Sequence, residues 1–89
     1  MQYNFSEEKN KILMRERDIC FEEVILALEA GELLDIVEHP NREKYPAQKM
    51  YVLPMNGYVY LVPFVEEEKE IVFLKTIFPS RKATKQYLD

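Results

Sequence analysis

Asn56-Gly57 lies between two apolar runs, Lys49–Met55 and residues 58–65, and this arrangement constrains the fold more than any other feature of the chain. Both residues tolerate positive φ, which a two-residue type I′ turn requires, so the runs read as the arms of a β-hairpin. The second arm, Tyr58-Val59-Tyr60-Leu61-Val62-Pro63-Phe64-Val65, is apolar on both of its alternating faces. A strand of that kind belongs in the middle of a sheet with cover on each side. Pro54 near the end of the first arm implies an edge or an irregularity there.

Helices frame this hairpin in sequence. Ser6 can cap a helix whose first turn carries Glu7 and Glu8, acidic residues that complement the N-terminal dipole, and the pattern runs to about Arg17. After a break at Asp18-Ile19-Cys20, Phe21, Val24, Ile25 and Leu28 recur at helical spacing, with Glu22, Glu23 and Glu29 outside the stripe and Gly31 as the stop. Residues 33–38 read as a strand and His39 to Pro46 as a loop. The acidic run Glu66-Glu67-Glu68-Lys69-Glu70 reads as a turn, and residues 71–78 as a strand. Ser80 then caps a short basic helix. The expected order is α-α-β-β-β-β-α: an α+β domain with a four-stranded antiparallel meander. Its two N-terminal helices pack on one face through Ile12, Leu13, Val24, Ile25 and Leu28, which leaves an apolar second face for a partner or a homodimer.

At 89 residues the chain is a single domain, 1–89. One cysteine, Cys20, excludes an internal disulfide and a cysteine metal cluster, and fits a reducing cytoplasm. No apolar run is long enough to span a membrane, and no signal peptide is recognisable. Nothing in the residues calls for a cofactor or a metal.

The net charge of −4 argues against indiscriminate binding to nucleic acid, which depends on neutralising phosphates. The charges are unevenly distributed, however. Four carboxylates crowd residues 66–70, whereas Lys75, Arg81, Lys82 and Lys85 gather toward the carboxyl end. Arg81 and Lys82 fall in the first turn of a helix, where the dipole disfavours cations, so helix stability does not explain them. Arg81 and Lys85 are one turn apart and can meet one ligand, or can simply form a solvated face. Lys75 interrupts an apolar strand. Its stem can lie on the sheet with the amine in water, or the amine can stabilise charge on a phosphate in a transition state. Tyr58 and Tyr60 alternate on one strand face, where they can stack on unpaired bases or pack in the core. His39, beside Pro40, is a potential acid or base but reads as a structural residue.

Three patterns extend these readings: Phe5 before a helix bearing Asn10, the helix start Phe21-Glu22-Glu23-Val24, and the closing Ser80-Arg81-Lys82-Ala83-Thr84. Together they resemble the BrnT-type toxins of bacterial type II toxin–antitoxin systems. The resemblance implies a RelE-like fold and an RNA-cleaving activity. It also implies neutralisation by a small DNA-binding antitoxin, expected to be of ribbon-helix-helix type. Residue by residue it carries over Arg81 and Lys82, whereas Lys75 comes from the strand pattern. The sequence therefore leads to a metal-independent endoribonuclease, with Lys75 and Arg81 as catalytic cations. Lys82, Lys85 and Tyr60 are the expected contacts to RNA, free or on the ribosome. The alternative is a non-enzymatic interaction module of the same fold.

Overall fold

The computed structural model describes residues 1–88, folded as β1 (Gln2–Asn4), α1 (Glu7–Arg17), α2 (Phe21–Glu29), β2 (Asp35–Glu38), β3 (Lys49–Met55), β4 (Tyr58–Glu68), β5 (Ile71–Leu74), β6 (Phe78–Pro79) and α3 (Arg81–Leu88). The α+β class and the three helices agree with the sequence. The four-stranded meander does not, because the sheet is mixed and has six strands.

The strand order is β1-β5-β4-β3-β2, and β6 also pairs with β4. The Asn56-Gly57 turn joins β3 to β4 with both residues at positive φ, 55° and 75°, as a type I′ hairpin demands. β4 is the central strand, as its two apolar faces require. Pro54 proves compatible with an interior strand. Val52 accepts a hydrogen bond on the β2 side from Leu34, and Pro54 faces the same way by alternation. By then β2 has ended, so the missing N–H of Pro54 deprives no neighbour.

Three corrections concern the strands. β1 was not expected; it lies parallel to β5, with Tyr3 opposite Val72. The acidic residues 66–68 belong to β4, with a bulge between Glu66 and Glu68, and the turn is confined to Lys69-Glu70, where Glu70 has φ 65°. The expected strand over 71–78 is broken into β5 and β6. Phe64 pairs with Leu74, but Leu61 pairs with Phe78, so the register moves by one residue between them. Pro63 explains the break. Its carbonyl accepts from Lys75 on that side at 2.8 Å, but it has no N–H to return, so the ladder cannot continue through Lys75-Thr76-Ile77.

α1 and α2 cover one face of the sheet. Leu13, Ile19, Phe21, Val24 and Ala27 pack with Tyr51, Leu53, Val62, Phe64, Val72, Leu74 and Ile77 in one buried cluster. Ile25 and Leu28 pack at its margin, whereas Ile12 is half-buried outside it. Phe5 stacks on Phe21 with ring centroids 4.9 Å apart. The second face is not left bare, because α3 lies on it. Ala83 and Tyr87 pack there against Val52, Val59, Leu61 and Val37 in a smaller cluster. No helix among the described residues is long and apolar enough to cross a membrane.

Candidate nucleic-acid interface

The closing motif Ser80-Arg81-Lys82-Ala83-Thr84 divides into residues that anchor α3 and residues that do not. Ser80 Oγ accepts the Ala83 N–H at 3.0 Å, which caps the first turn. The Ser80 N–H donates to the Val59 carbonyl at 2.9 Å. Thr84 Oγ1 accepts the Val59 N–H at 2.9 Å and donates to the Ser80 carbonyl at 2.7 Å. Both backbone groups of Val59, a fully buried residue, are thus satisfied by the start of α3. Ala83 is small enough to lie flat on the sheet. At the other end, the Tyr87 hydroxyl donates to Asp35 Oδ2 at 2.8 Å and ties α3 to β2. That bond, together with partial desolvation, raises the phenol above its ordinary pKa and keeps it a donor.

Arg81 and Lys82 take no part in this anchoring. Both are exposed, as is Lys85, and none of the three has an ion pair or a side-chain hydrogen bond among the described residues. The one ion pair among those residues joins Arg42 to Glu38 at 3.0 Å, in the long loop. The cations on α3 are therefore free to meet an external anion.

Lys75 reaches the same side of the sheet. Phe73 pairs with Val65, which by alternation shares a face with Leu61 and Val59 beneath α3. The Lys75 ammonium sits over the Phe73 ring at 5.5 Å, so its stem lies on the sheet and its head is exposed. The Lys75 amide bonds to Pro63, and Pro79 pairs with Tyr60, three residues away along β4, a separation of about 10 Å. Helical spacing places Lys82 and Gln86 on the flank of α3 that borders Val37 of β2 and Val52 of β3, and turns Arg81 and Lys85 away from the sheet. Lys75, Arg81, Lys82 and Lys85 are thus all exposed on the α3 side of the sheet. The break at Pro63, invisible as a functional signal in sequence, is what lets the chain turn from β5 into α3 on this face.

Tyr60 lies elsewhere. It packs against the main cluster beneath α1 and α2, with Tyr58 edge-on at 6.0 Å, and so does not share a face with the cations. His39 packs at a tilt against Tyr45, with ring centroids 4.4 Å apart, and its Nδ1 accepts the Asn41 N–H at 3.1 Å, which makes it a loop-forming residue. Cys20 precedes α2 half-buried, and burial raises its thiol pKa, the reverse of what a reactive thiolate needs.

Sequence reasoning overlooked a groove between α3 and the sheet. Val37, Val52 and Leu61 form its floor, Tyr87 a wall, and Lys82 and Gln86 its rim, around about 210 Å³ of open space. The signal was present in Gln86 and Tyr87, which follow Lys82 and Ala83 by one helical turn. Their position relative to β2 depends on strand pairing that local pattern does not reveal. No protein-family profile, curated protein or solved structure matches the chain.

Proposed function

We propose that this protein is a toxin of a type II toxin–antitoxin pair, a metal-independent endoribonuclease that grips RNA with the cations of the α3 face. One observation carries the reading: Lys75, Arg81, Lys82 and Lys85 are all exposed on one side of the sheet, without internal counter-ions among the described residues, in a chain of net charge −4. Four exposed cations on one side of the sheet of an acidic chain make a surface suited to a polyanion. The resemblance of Ser80-Arg81-Lys82-Ala83-Thr84 to the closing motif of BrnT-type toxins, with their RelE-like fold, points the same way.

In this reading Lys75 and Arg81 hold the scissile phosphate, and Lys82 and Lys85 guide the strand. The ribose 2′-oxygen attacks phosphorus, the bond to the 5′-oxygen breaks, and a 2′,3′-cyclic phosphate and a 5′-hydroxyl result. The 2′-proton leaves to water and the 5′-oxygen takes one from water. The protein's contribution is to stabilise the extra negative charge of the phosphorane, for which Arg, with its planar fork, is well suited. A small ribbon-helix-helix antitoxin is the proposed neutralising partner.

Expression of the chain in a bacterial host should arrest growth and fragment RNA, and Arg81→Ala should reduce cleavage by roughly 100-fold or more, as loss of a transition-state donor does. Harmless expression with intact RNA, for wild type and variant alike, would refute the enzyme.

The second reading is a non-enzymatic partner-binding module. It is favoured by the apolar groove beside the cations and by Leu26 of α2, which is 67% exposed. RNA integrity on induction separates the two, because a pure binding module leaves RNA intact.

A further inference from the structure

The groove beside α3 is too small for a helix and the right size for one ring. Its open space of about 210 Å³ falls below the roughly 300–1,000 Å³ of sites for drug-sized ligands. Its floor of Val37, Val52 and Leu61 is apolar, and one wall is the ring of Tyr87. That ring is held at both ends: its body packs on the smaller cluster, and its hydroxyl is tied to Asp35. An aromatic wall fixed in this way can stack on a planar partner without first being ordered. The rim supplies one cation, Lys82, and one amide, Gln86, which can both donate and accept hydrogen bonds.

We propose that this groove is a nucleotide-base subsite, and that it accepts one unstacked base of single-stranded RNA whose phosphate is held by Lys82. The proposal rests on the reading of the α3 face as an RNA-binding surface and adds a specificity element to it. Tyr87 stacks on the base. Gln86 reads the edge of the base, because its amide is exposed and makes no hydrogen bond among the described residues, whereas the Ser80 hydroxyl, which also lines the groove, is engaged by the Ala83 N–H. Charge favours RNA over an apolar peptide: Lys82 on the rim has no ion pair among the described residues, and the Asp35 carboxylate beside the groove is engaged by the Tyr87 hydroxyl. Single strands are recognised in this manner elsewhere, by aromatic platforms next to a basic track.

Fluorescence anisotropy at low salt tests it, with labelled single-stranded homopolymers of adenylate, uridylate or cytidylate and an abasic ribose-phosphate oligomer of equal length. Wild type should bind base-bearing strands more tightly than the abasic strand. Tyr87→Ala should weaken base-bearing strands by roughly 5- to 100-fold, down to the abasic level, the loss expected for one stacked base. Gln86→Ala, at an exposed helical position that the fold does not use, should alter the ranking of the homopolymers and leave abasic binding unchanged. If base-bearing and abasic strands bind wild type equally, as they would were the groove filled by a partner's side chain or by a second copy, the subsite is overturned and the RNA-binding face survives. An unchanged ranking in Gln86→Ala together with an unchanged base preference in Tyr87→Ala overturns it likewise. If no strand binds at all, both readings fall.

Discussion

At the start of α2 the Phe21 N–H has no partner on its own helix, and the N-cap residue Cys20 supplies none from its side chain. Asn10 of α1 fills the gap. Its Oδ1 accepts the Phe21 N–H at 2.7 Å, and its Nδ2 donates to Glu22 Oε1 at 2.8 Å. Asn10 is buried, so both bonds lie in a region where an unmet partner is costly. Asn10→Ala should therefore destabilise the protein by about 1–3 kcal/mol, measured by chemical denaturation. The hydrogen bond from Asn10 holds the Glu22 carboxyl below its ordinary pKa, with help from the Glu22 backbone N–H. A lowered carboxyl adds stability above its unfolded pKa and loses it as pH falls through the folded value. Glu22→Gln should thus flatten the acid limb of the stability curve below about pH 4.5. Tyr51 gives the opposite limb. Burial pushes its phenol up to about 12, with Tyr3 and Glu66 adding to the effect. Its contribution is whole below pH 10 and lost as pH rises toward 12, because the unfolded chain ionises first. Tyr51→Phe should remove that alkaline loss, as read from thermal melts at pH 9 and above.

Among the elements, the two ends of β4 show what sequence can and cannot reveal. The Asn56-Gly57 turn was fully legible, because its chemistry is local. A methyl group added at Gly57 meets nothing within 4 Å, so the effect of Gly57→Ala comes from φ alone. The substitution should lower stability by about 1–2 kcal/mol without changing the sheet's signature in circular dichroism. The break after β5 was not legible. Pro63 stops a ladder only because of which neighbour it faces, and that neighbour is defined by pairing across the sheet. β1 was hidden for a similar reason: three residues carry too little alternation to announce a strand, and its partner β5 lies about seventy residues on. α3 was foreseen from Ser80 and the basic run, but its seat was not. Thr84 reads as an ordinary helical residue, yet it satisfies the buried Val59 N–H. Thr84→Val keeps the shape and strands that N–H, so it should cost about 1–3 kcal/mol, as read from chemical denaturation. Ser80→Ala should cost about 1 kcal/mol through the lost cap.

For the whole molecule, the charge distribution matters more than the net charge. The acidic end of β4 and the carboxylates of α2 give the chain its sign, whereas the α3 face carries the opposite one. Of the residues selected from sequence for contact with RNA, Lys75, Arg81, Lys82 and Lys85 come to one face, and Tyr60 goes to the other. The cations stand out in the sequence because they contradict the charge of their own chain. The face that Tyr60 occupies was not legible, because strand alternation tells which residues share a face but not which face the helices cover. The most direct measurement is the salt dependence of binding to a single-stranded RNA, compared between wild type and the Arg81→Ala/Lys82→Ala double variant. Each phosphate neutralised on a single strand adds about 0.7 to the slope of log K against log salt. Losing two contacts should flatten the wild-type slope by about 1.4 and weaken binding at low salt. A wild-type slope near zero, or the same slope in both proteins, would contradict the account.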